Sequence, residues 1–155
     1  MEDLSLHILD IVENSISASE KNIEIIINED EKNDVVVIEI NDDGDGMNED
    51  EIKNCLDPFF STKGKKTGLG LPLLCQSAKE SGGDLIIESK PWQGCRVLAT
   101  FRYSHIDRKP LGNIHETLLA LIGGHPEVDF LYEYKKGGEI RRINTKETHD
   151  GKSDD

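Results

Sequence analysis

The sequence predicts an α/β two-layer sandwich, with a mixed or antiparallel sheet and helices on one face. Paired β-branched runs separated by polar turns read as hairpins. Amphipathic stretches at helical spacing fall between those pairs. The resulting order, α-ββ-α-α-ββ-α-ββ, lets each element bury one apolar face against the other layer. A chain of 155 residues fits one domain, and a domain of about 150 residues buries roughly 70% of its unfolded surface.

The first helix is predicted over about Asp3 to Ser19, because Leu4, Ile8, Ile11, Val12, Ser15 and Ile16 recur at helical spacing. Asp10, Glu13, Asn14 and Ser17 fall on its other side, and His7 lies on the same general side as Asp10. Ile23–Ile27 and Val35–Ile40 form a hairpin across the polar NEDEKND segment. Asn48 is the predicted N-cap of a short helix through about Asn54. DPFFSTKGKKT, from Asp57 to Thr67, is a loop, and Gly70 to about Ser81 is a helix stopped by Gly82-Gly83. Strands follow at Asp84–Ser89 and Arg96–Arg102, then a helix at Ile114–Ile122 and a hairpin of Val128–Tyr134 with Glu139–Ile143. Leu118, Leu119, Leu121, Ile122, Phe130, Leu131 and Tyr132 are assigned to the core rather than to an interface. The tail from Thr145 lacks apolar periodicity and is predicted to be disordered.

Composition narrows the partners. A formal net charge of −13 argues against nucleic acid and against an anionic membrane surface. No apolar run approaches the roughly 20 residues that a membrane helix needs. The N-terminus MEDLSLH has neither the basic start nor the apolar block of a signal peptide. Cys55, Cys75 and Cys95 are odd in number and widely spaced, which predicts a reduced, cytoplasmic protein rather than a disulfide framework or a zinc site.

Three short motifs carry the chemistry. Asp10 and Asn14 are four residues apart and project from one helix face. An Asn oxygen can ligate Mg²⁺, and a carboxylate one turn earlier can orient an incoming nucleophile. Taken alone, the pair reads first as the wet face of an amphipathic helix. Asp42 follows a strand and opens the turn Asp42-Asp43-Gly44-Asp45-Gly46. A carboxylate there can accept a hydrogen bond from the exocyclic amine of adenine, which guanine lacks at that position. Gly44 and Gly46 allow positive φ and close approach to the base. The competing reading is a calcium loop, but position 12 of a loop starting at Asp43 is Asn54, where an EF-hand needs Glu. In Thr67-Gly68-Leu69-Gly70-Leu71, glycines lead a loop into a helix whose first N–H groups form an anion site. Lys63, Lys65 and Lys66 precede it. The stretch is neither a P-loop nor a dinucleotide fingerprint.

In this order the motifs resemble the GHKL superfamily of gyrase, heat-shock chaperone, histidine kinase and MutL ATP-binding domains, over about residues 4 to 102. HILDIVENSISAS resembles the N-box and NDDGDGM the G1 box. DPFFSTK resembles the F-box of histidine kinases, and KTGLGLPLL their G2 box. The resemblance implies a Bergerat fold holding ATP and Mg²⁺ under a lid. It implies Asn14 as the metal ligand, Asp10 as the catalytic carboxylate, Asp42 as the adenine reader, and Gly44, Gly46 and Met47 around the base. Thr67, Gly68, Leu69, Gly70 and Leu71 are implied at the phosphates with Lys63 and Lys66, and Phe59 to Thr67 as the lid. Residues 1–104 are then the ATP-binding domain, 105–144 a helix–hairpin extension packed on it, and 145–155 the tail.

Three departures from the family pattern matter. Histidine kinases carry their phosphoacceptor hairpin before the N-box, whereas this chain starts at the N-box, so its target is expected on another protein. Asp10 stands where the hydrolysing and serine-phosphorylating branches have Glu, one methylene longer. Cys95 follows Gly94 where many members have Thr, and a thiol is a poor donor to adenine. The leading expectation is a stand-alone module passing the γ-phosphate to a partner protein, with Ser/Thr and His both open as targets. A nucleotide switch that binds a partner when its lid is closed is the alternative. A dimerising gyrase- or MutL-like ATPase ranks last.

Overall fold

The computed structural model describes residues 4–17, 22–44, 46, 48–55, 70–91, 93–105, 108 and 110–145, and for residues 14–17 and 55 the backbone alone. The elements are α1 (Leu4–Ser17), β1 (Asn22–Asp30), β2 (Val35–Asp42), α2 (Glu49–Cys55), α3 (Gly70–Glu80), β3 (Asp84–Ser89), β4 (Cys95–Arg102), α4 (Ile114–Gly124), β5 (Asp129–Lys136) and β6 (Glu139–Asn144). The strands make a mixed six-stranded sheet in the order β3-β4-β2-β1-β5-β6. Only β1 and β5 run parallel, and every other neighbouring pair is antiparallel. This is an α/β sandwich of the Bergerat type.

Alternation along each strand decides which face is covered. Ile23, Ile25 and Ile27 of β1 point to one side and are fully buried. Opposite them on β2, Ile40 pairs with Ile25 and Ile38 with Ile27. The row continues through Val97 and Ala99 of β4 and through Phe130, Tyr132 and Tyr134 of β5. Leu4, Ile8, Ile11 and Val12 of α1, Leu74 and Ala78 of α3, and Leu118 and Leu121 of α4 complete the same core. Each fully buried aliphatic side chain contributes about 1.5–3 kcal/mol.

Both hairpins beyond α3 form as the residue pattern predicts, but β5 does more than pair with β6. It lies parallel to β1 in the register Ile25↔Tyr132, so the C-terminal segment widens the sheet. Leu118, Leu121, Phe130 and Tyr132 are buried in the core. Leu119, expected there, is 51% exposed on the outer side of α4, and Leu131 points to the opposite sheet face. Thr145 accepts the backbone N–H of Phe130 at Oγ1, 2.7 Å away. Residues 146–155 lie outside the described residues.

Helix ends are satisfied locally and at a distance. Asn48 Oδ1 accepts the Glu51 N–H at 2.9 Å while Glu51 Oε1 accepts the Asn48 N–H at 3.0 Å, a reciprocal capping box. Helix α3 stops with the Gly83 N–H on Ala78 O and the Gly82 N–H on Lys79 O, the Schellman pattern. The first amides of α1, at Leu4 and Ser5, donate to Pro110 O and Leu111 O, which ties that helix to the segment entering α4.

Candidate functional site

The site is built at the end of the sheet where β2 leaves it. Asp42 closes β2 and is the register partner of Cys95, the first residue of β4, and of Ile23 on β1. Its carboxylate is oriented within its own turn, Oδ1 accepting the Gly44 N–H at 3.1 Å. Gly44 O in turn accepts the Gly94 N–H at 3.1 Å. Asp43 pins the turn to β1, taking the Asn22 backbone N–H at 3.0 Å and its side-chain amide at 2.7 Å.

Two glycines make the fit possible. Gly46 has φ +70, and a Cβ there would lie 2.0 Å from Lys90 O. Gly94 has φ +78, and a Cβ there would lie 2.2 Å from Asp42 O. The 42–46 turn and the 90–94 turn are therefore interlocked backbone to backbone, with Ser89 Oγ donating to Gly94 O at 2.6 Å. The missing Cβ at Gly46 makes room for Lys90 O.

A cavity of ≈ 560 Å³ opens here, lined by Asp42, Ile52, Ile87, Ser89, Gly94 and Cys95 among others. Its volume is in the range of about 300–1,000 Å³ usual for small-ligand sites. Ile52 and Ile87 offer apolar walls to a flat ring, and Asp42 offers an acceptor at its edge, so the lining suits a purine carrying an exocyclic amine. Cys95 is half-buried, next to Asp42 across the β2–β4 ladder. On the rim, Arg96 bridges Glu39 at 2.8 Å and Glu88 at 2.7 Å, which holds the Glu39 carboxyl below its ordinary range.

The second part of the site is the junction of α1 and α3. Asp10 Oδ2 accepts the Gly70 N–H at 2.8 Å, across 60 residues of sequence. Gly70 is the first residue of α3 and is buried against α1. His7, expected on the polar side of α1, is 3% exposed. Asn14 lies one turn beyond Asp10 on the same helix, its side chain outside the described residues. Leu71 packs partly buried against the core. Met47, Phe59, Lys63, Lys66, Thr67, Gly68 and Leu69, and with them the whole expected lid, also lie outside the described residues.

Sequence reasoning did not find Ile52, Ile87 and Ser89 as lining residues, the Asp43 clamp on Asn22, or the Asp10 bond to Gly70. Ile87 and Ser89 depend on strand register, and Ile52 on where α2 packs, neither of which single-residue motifs encode. The last depends on how two helices meet.

Residues 2–105 match the family described as Histidine kinase-, DNA gyrase B-, and HSP90-like ATPase. The chain belongs to that family, and its domain is an ATP-binding domain of the histidine-kinase type. The match takes in α1 to β4 and ends before α4, β5 and β6. Among curated proteins, the chain is 38% identical to Sporulation kinase C of Bacillus subtilis (strain 168) over 86 residues, 56% of this chain and 20% of that kinase. It is 31% identical over 91 residues to Sensor protein DegM of Bacillus sp. (strain B21-2), 59% of this chain and 24% of that protein. Over 53 residues it is 43% identical to Sensor histidine kinase DcuS of Escherichia coli (strain K12), 34% of this chain and 10% of that kinase. The chain thus spans less than a quarter of the length of these relatives. Among the described residues, no helix is long and apolar enough to cross a membrane.

Proposed function

We propose that this domain binds Mg–ATP and passes the γ-phosphoryl group to a histidine on a protein partner in a signalling pathway. The observation that carries the reading is the pairing of Asp42 with Cys95 at the lip of a ≈ 560 Å³ cavity that offers Ile52 and Ile87 as apolar surface within an otherwise polar lining. Asp42 accepts the exocyclic amine of adenine, held in position by its bond to Gly44 and by the interlocked Gly46 and Gly94 turns. Cys95 stands beside it as a weak donor, which lowers the selectivity of the pocket. Asn14, one turn from Asp10 on α1, supplies an oxygen ligand to Mg²⁺. Lys63, Lys66 and the loop from Thr67 to Gly70 receive the phosphates. ATP, when bound, supplies the phosphoryl group for transfer.

Histidine is preferred over Ser or Thr as the acceptor. A neutral imidazole attacks without a general base, whereas a hydroxyl needs one. Asp10, the carboxylate in the base position, already has one oxygen committed to the Gly70 amide. The relative named as a sensor histidine kinase supports the same choice. Cys75 and Cys95, neither in a disulfide, suit a reducing compartment such as the cytoplasm.

The test is a titration of ATP and GTP with Mg²⁺, followed by a time course with γ-labelled ATP in cell extract. Wild type binds ATP in preference to GTP, and Asp42→Asn weakens ATP by roughly tenfold or more, as expected for a lost charge-assisted hydrogen bond. Label then reaches a protein in an acid-labile form. Equal affinity for the two nucleotides would remove the adenine role of Asp42. Acid-stable label would move the acceptor to Ser or Thr, and tight binding without any label would favour a nucleotide switch.

A further inference from the structure

We infer that the outer edge of β6 is a docking site for an extended acidic segment of a partner protein, which joins the sheet as a further strand. The edge lies in the helix–hairpin extension, beyond the residues that match the ATPase family.

Strand β6 is the last of the sheet, paired with β5 on one side and with no strand on the other among the described residues. The hairpin decides which of its backbone groups turn outward. Lys136 pairs with Glu139 across the two-residue loop Gly137-Gly138, with Gly137 at φ +58. Residues flanking such a loop exchange both ladder hydrogen bonds, so Glu139, Arg141 and Ile143 bond inward to β5. Phe130 agrees with that phase, since its N–H is turned toward Thr145, two residues beyond Ile143. Ile140 and Arg142 therefore direct N–H and C=O away from β5. Because Ile143 packs against the core, alternation places the side chains of Ile140 and Arg142 on the opposite sheet face.

The exposed side chains define the chemistry of the occupant. Residues 135–142 carry four cations and one carboxylate, in a chain of formal net charge −13. Lys135 is held by Glu133 at 3.5 Å and Arg141 by Glu139 at 2.9 Å. Lys136 and Arg142 have no ion-pair partner among the described residues, and Glu133, opposite Arg142 in the ladder, is already taken by Lys135. Ile140 is 62% exposed, two residues from Arg142 on the same face. A strand laid along β6 would cover both by placing an apolar residue beside Ile140 and a carboxylate beside Arg142. Main-chain bonds to Ile140 and Arg142 hold such a strand, and the side chains select it.

Charge on an edge strand also guards against self-association, and here the same residues do both. Two β6 strands meeting antiparallel at their centres would set Arg141 against Arg142 twice, and like charges directly opposite destabilise a ladder. The carboxylates of β3, at the other edge of the sheet, are engaged within the chain: Glu88 with Arg96 at 2.7 Å, and Asp84 Oδ1 with the Leu85 N–H at 2.8 Å. A second copy thus fits this edge less well than an acidic segment whose carboxylates are unpaired.

The probe is a synthetic peptide repeating Val-Thr-Glu-Thr, which sets valine and glutamate alternately on one face, with Val-Thr-Lys-Thr as its control. The full chain should bind the acidic peptide and not the basic one, more weakly as salt rises. NMR should show slowed hydrogen exchange at the Ile140 and Arg142 amides and no change along β3. Ile140→Pro removes one outward N–H and keeps every charge, a change an edge strand tolerates, and should weaken binding roughly tenfold. Arg142→Glu keeps the backbone and should also weaken it roughly tenfold. Unchanged core amide shifts show that both variants fold. No binding of the acidic peptide, equal binding of the two peptides, or full binding by Ile140→Pro each overturns strand addition. So does slow exchange of both amides in the free chain: protection lost on dilution assigns the edge to a second copy, and protection that persists assigns it to the chain itself. Should Ile140→Pro not fold, the exchange measurement on wild type and the affinity of Arg142→Glu decide.

Discussion

Replacing Gly94 by alanine strikes the interlocked turns that hold Asp42. Gly94 has φ +78, and its added Cβ would lie 2.2 Å from Asp42 O and 3.2 Å from Asp43 Cα. A left-handed backbone costs a residue with a Cβ about 1–2 kcal/mol. Forcing backbone apart costs a further ~1–3 kcal/mol, as overpacking does elsewhere. Gly94→Ala should therefore lose about 2–5 kcal/mol in total. Two other glycines separate these contributions. Gly137 has φ +58 with nothing within 4 Å of a Cβ, so Gly137→Ala should cost only the backbone part. Gly123 lies within α4, also with nothing within 4 Å, so Gly123→Ala should gain about 0.5–1 kcal/mol from helix propensity. Urea denaturation of the three variants gives the ranking, with an unchanged m-value as the check on two-state behaviour. If Gly94→Ala is no less stable than Gly137→Ala, the close approach to Asp42 is not a feature of the protein. ATP affinity carries the functional side: it should fall in Gly94→Ala and stay at the wild-type value in Gly137→Ala.

Three further outcomes follow from groups away from that turn. Tyr134 donates its hydroxyl to Glu29, a carboxylate 7% exposed on the core face of β1. Tyr134→Phe should cost about 1–3 kcal/mol by stranding it, and Glu29→Gln in that background should return part of the loss, measured as a double-mutant cycle. His115 lies 2.6 Å from the Tyr132 hydroxyl, and burial pushes its pKa below the ordinary 6.5. The unfolded chain then binds the extra proton first, so stability should fall as pH drops through and below about 6.5. His115→Gln should flatten that part of the curve, and an unchanged profile would count against it. Arg96→Ala removes both ion pairs of a side chain that is 42% exposed, so overall stability should change little. Glu39 is depressed chiefly by Arg96, so its stabilisation is present above 4.5 and lost on acidification below it. The variant should show less acid sensitivity in that range.

Much of this fold was legible because local chemistry and tertiary structure agree. Asn48 and Glu51 are three residues apart before a short helix, and the reciprocal cap forms as that spacing implies. Paired apolar runs gave the hairpins β1–β2, β3–β4 and β5–β6. Register was less accessible. Ile25, Ile26 and Ile27 are chemically equivalent in sequence, yet Ile25 and Ile27 are buried while Ile26 faces the other way. β1 also continues to Asp30 through polar residues, since Val35–Val37 of β2 supply the matching ladder. The parallel docking of β5 beside β1 carried no local signal, because a strand's own residues do not say which edge it will extend.

The site divides along the same line. Asp42 stands out as a carboxylate at the end of an apolar strand, followed by glycines, and its bond to the Gly44 N–H gives it a structural role in the turn as well. Asp10 could be picked out from its spacing to Asn14. What residue type does not carry is the partner. Asp10 meets an amide 60 residues away, and Asp42 depends on a glycine in the turn between β3 and β4. In both cases the candidate carboxylate sits at a close contact with a glycine, tight at Gly70 and closed to any other residue at Gly94. The glycines of such a chain therefore have contacts within the protein to satisfy, whatever else they approach. At Gly46, Gly70 and Gly94 the missing Cβ makes room for the protein's own backbone or side chains, and the site's geometry follows from that contact before any ligand arrives.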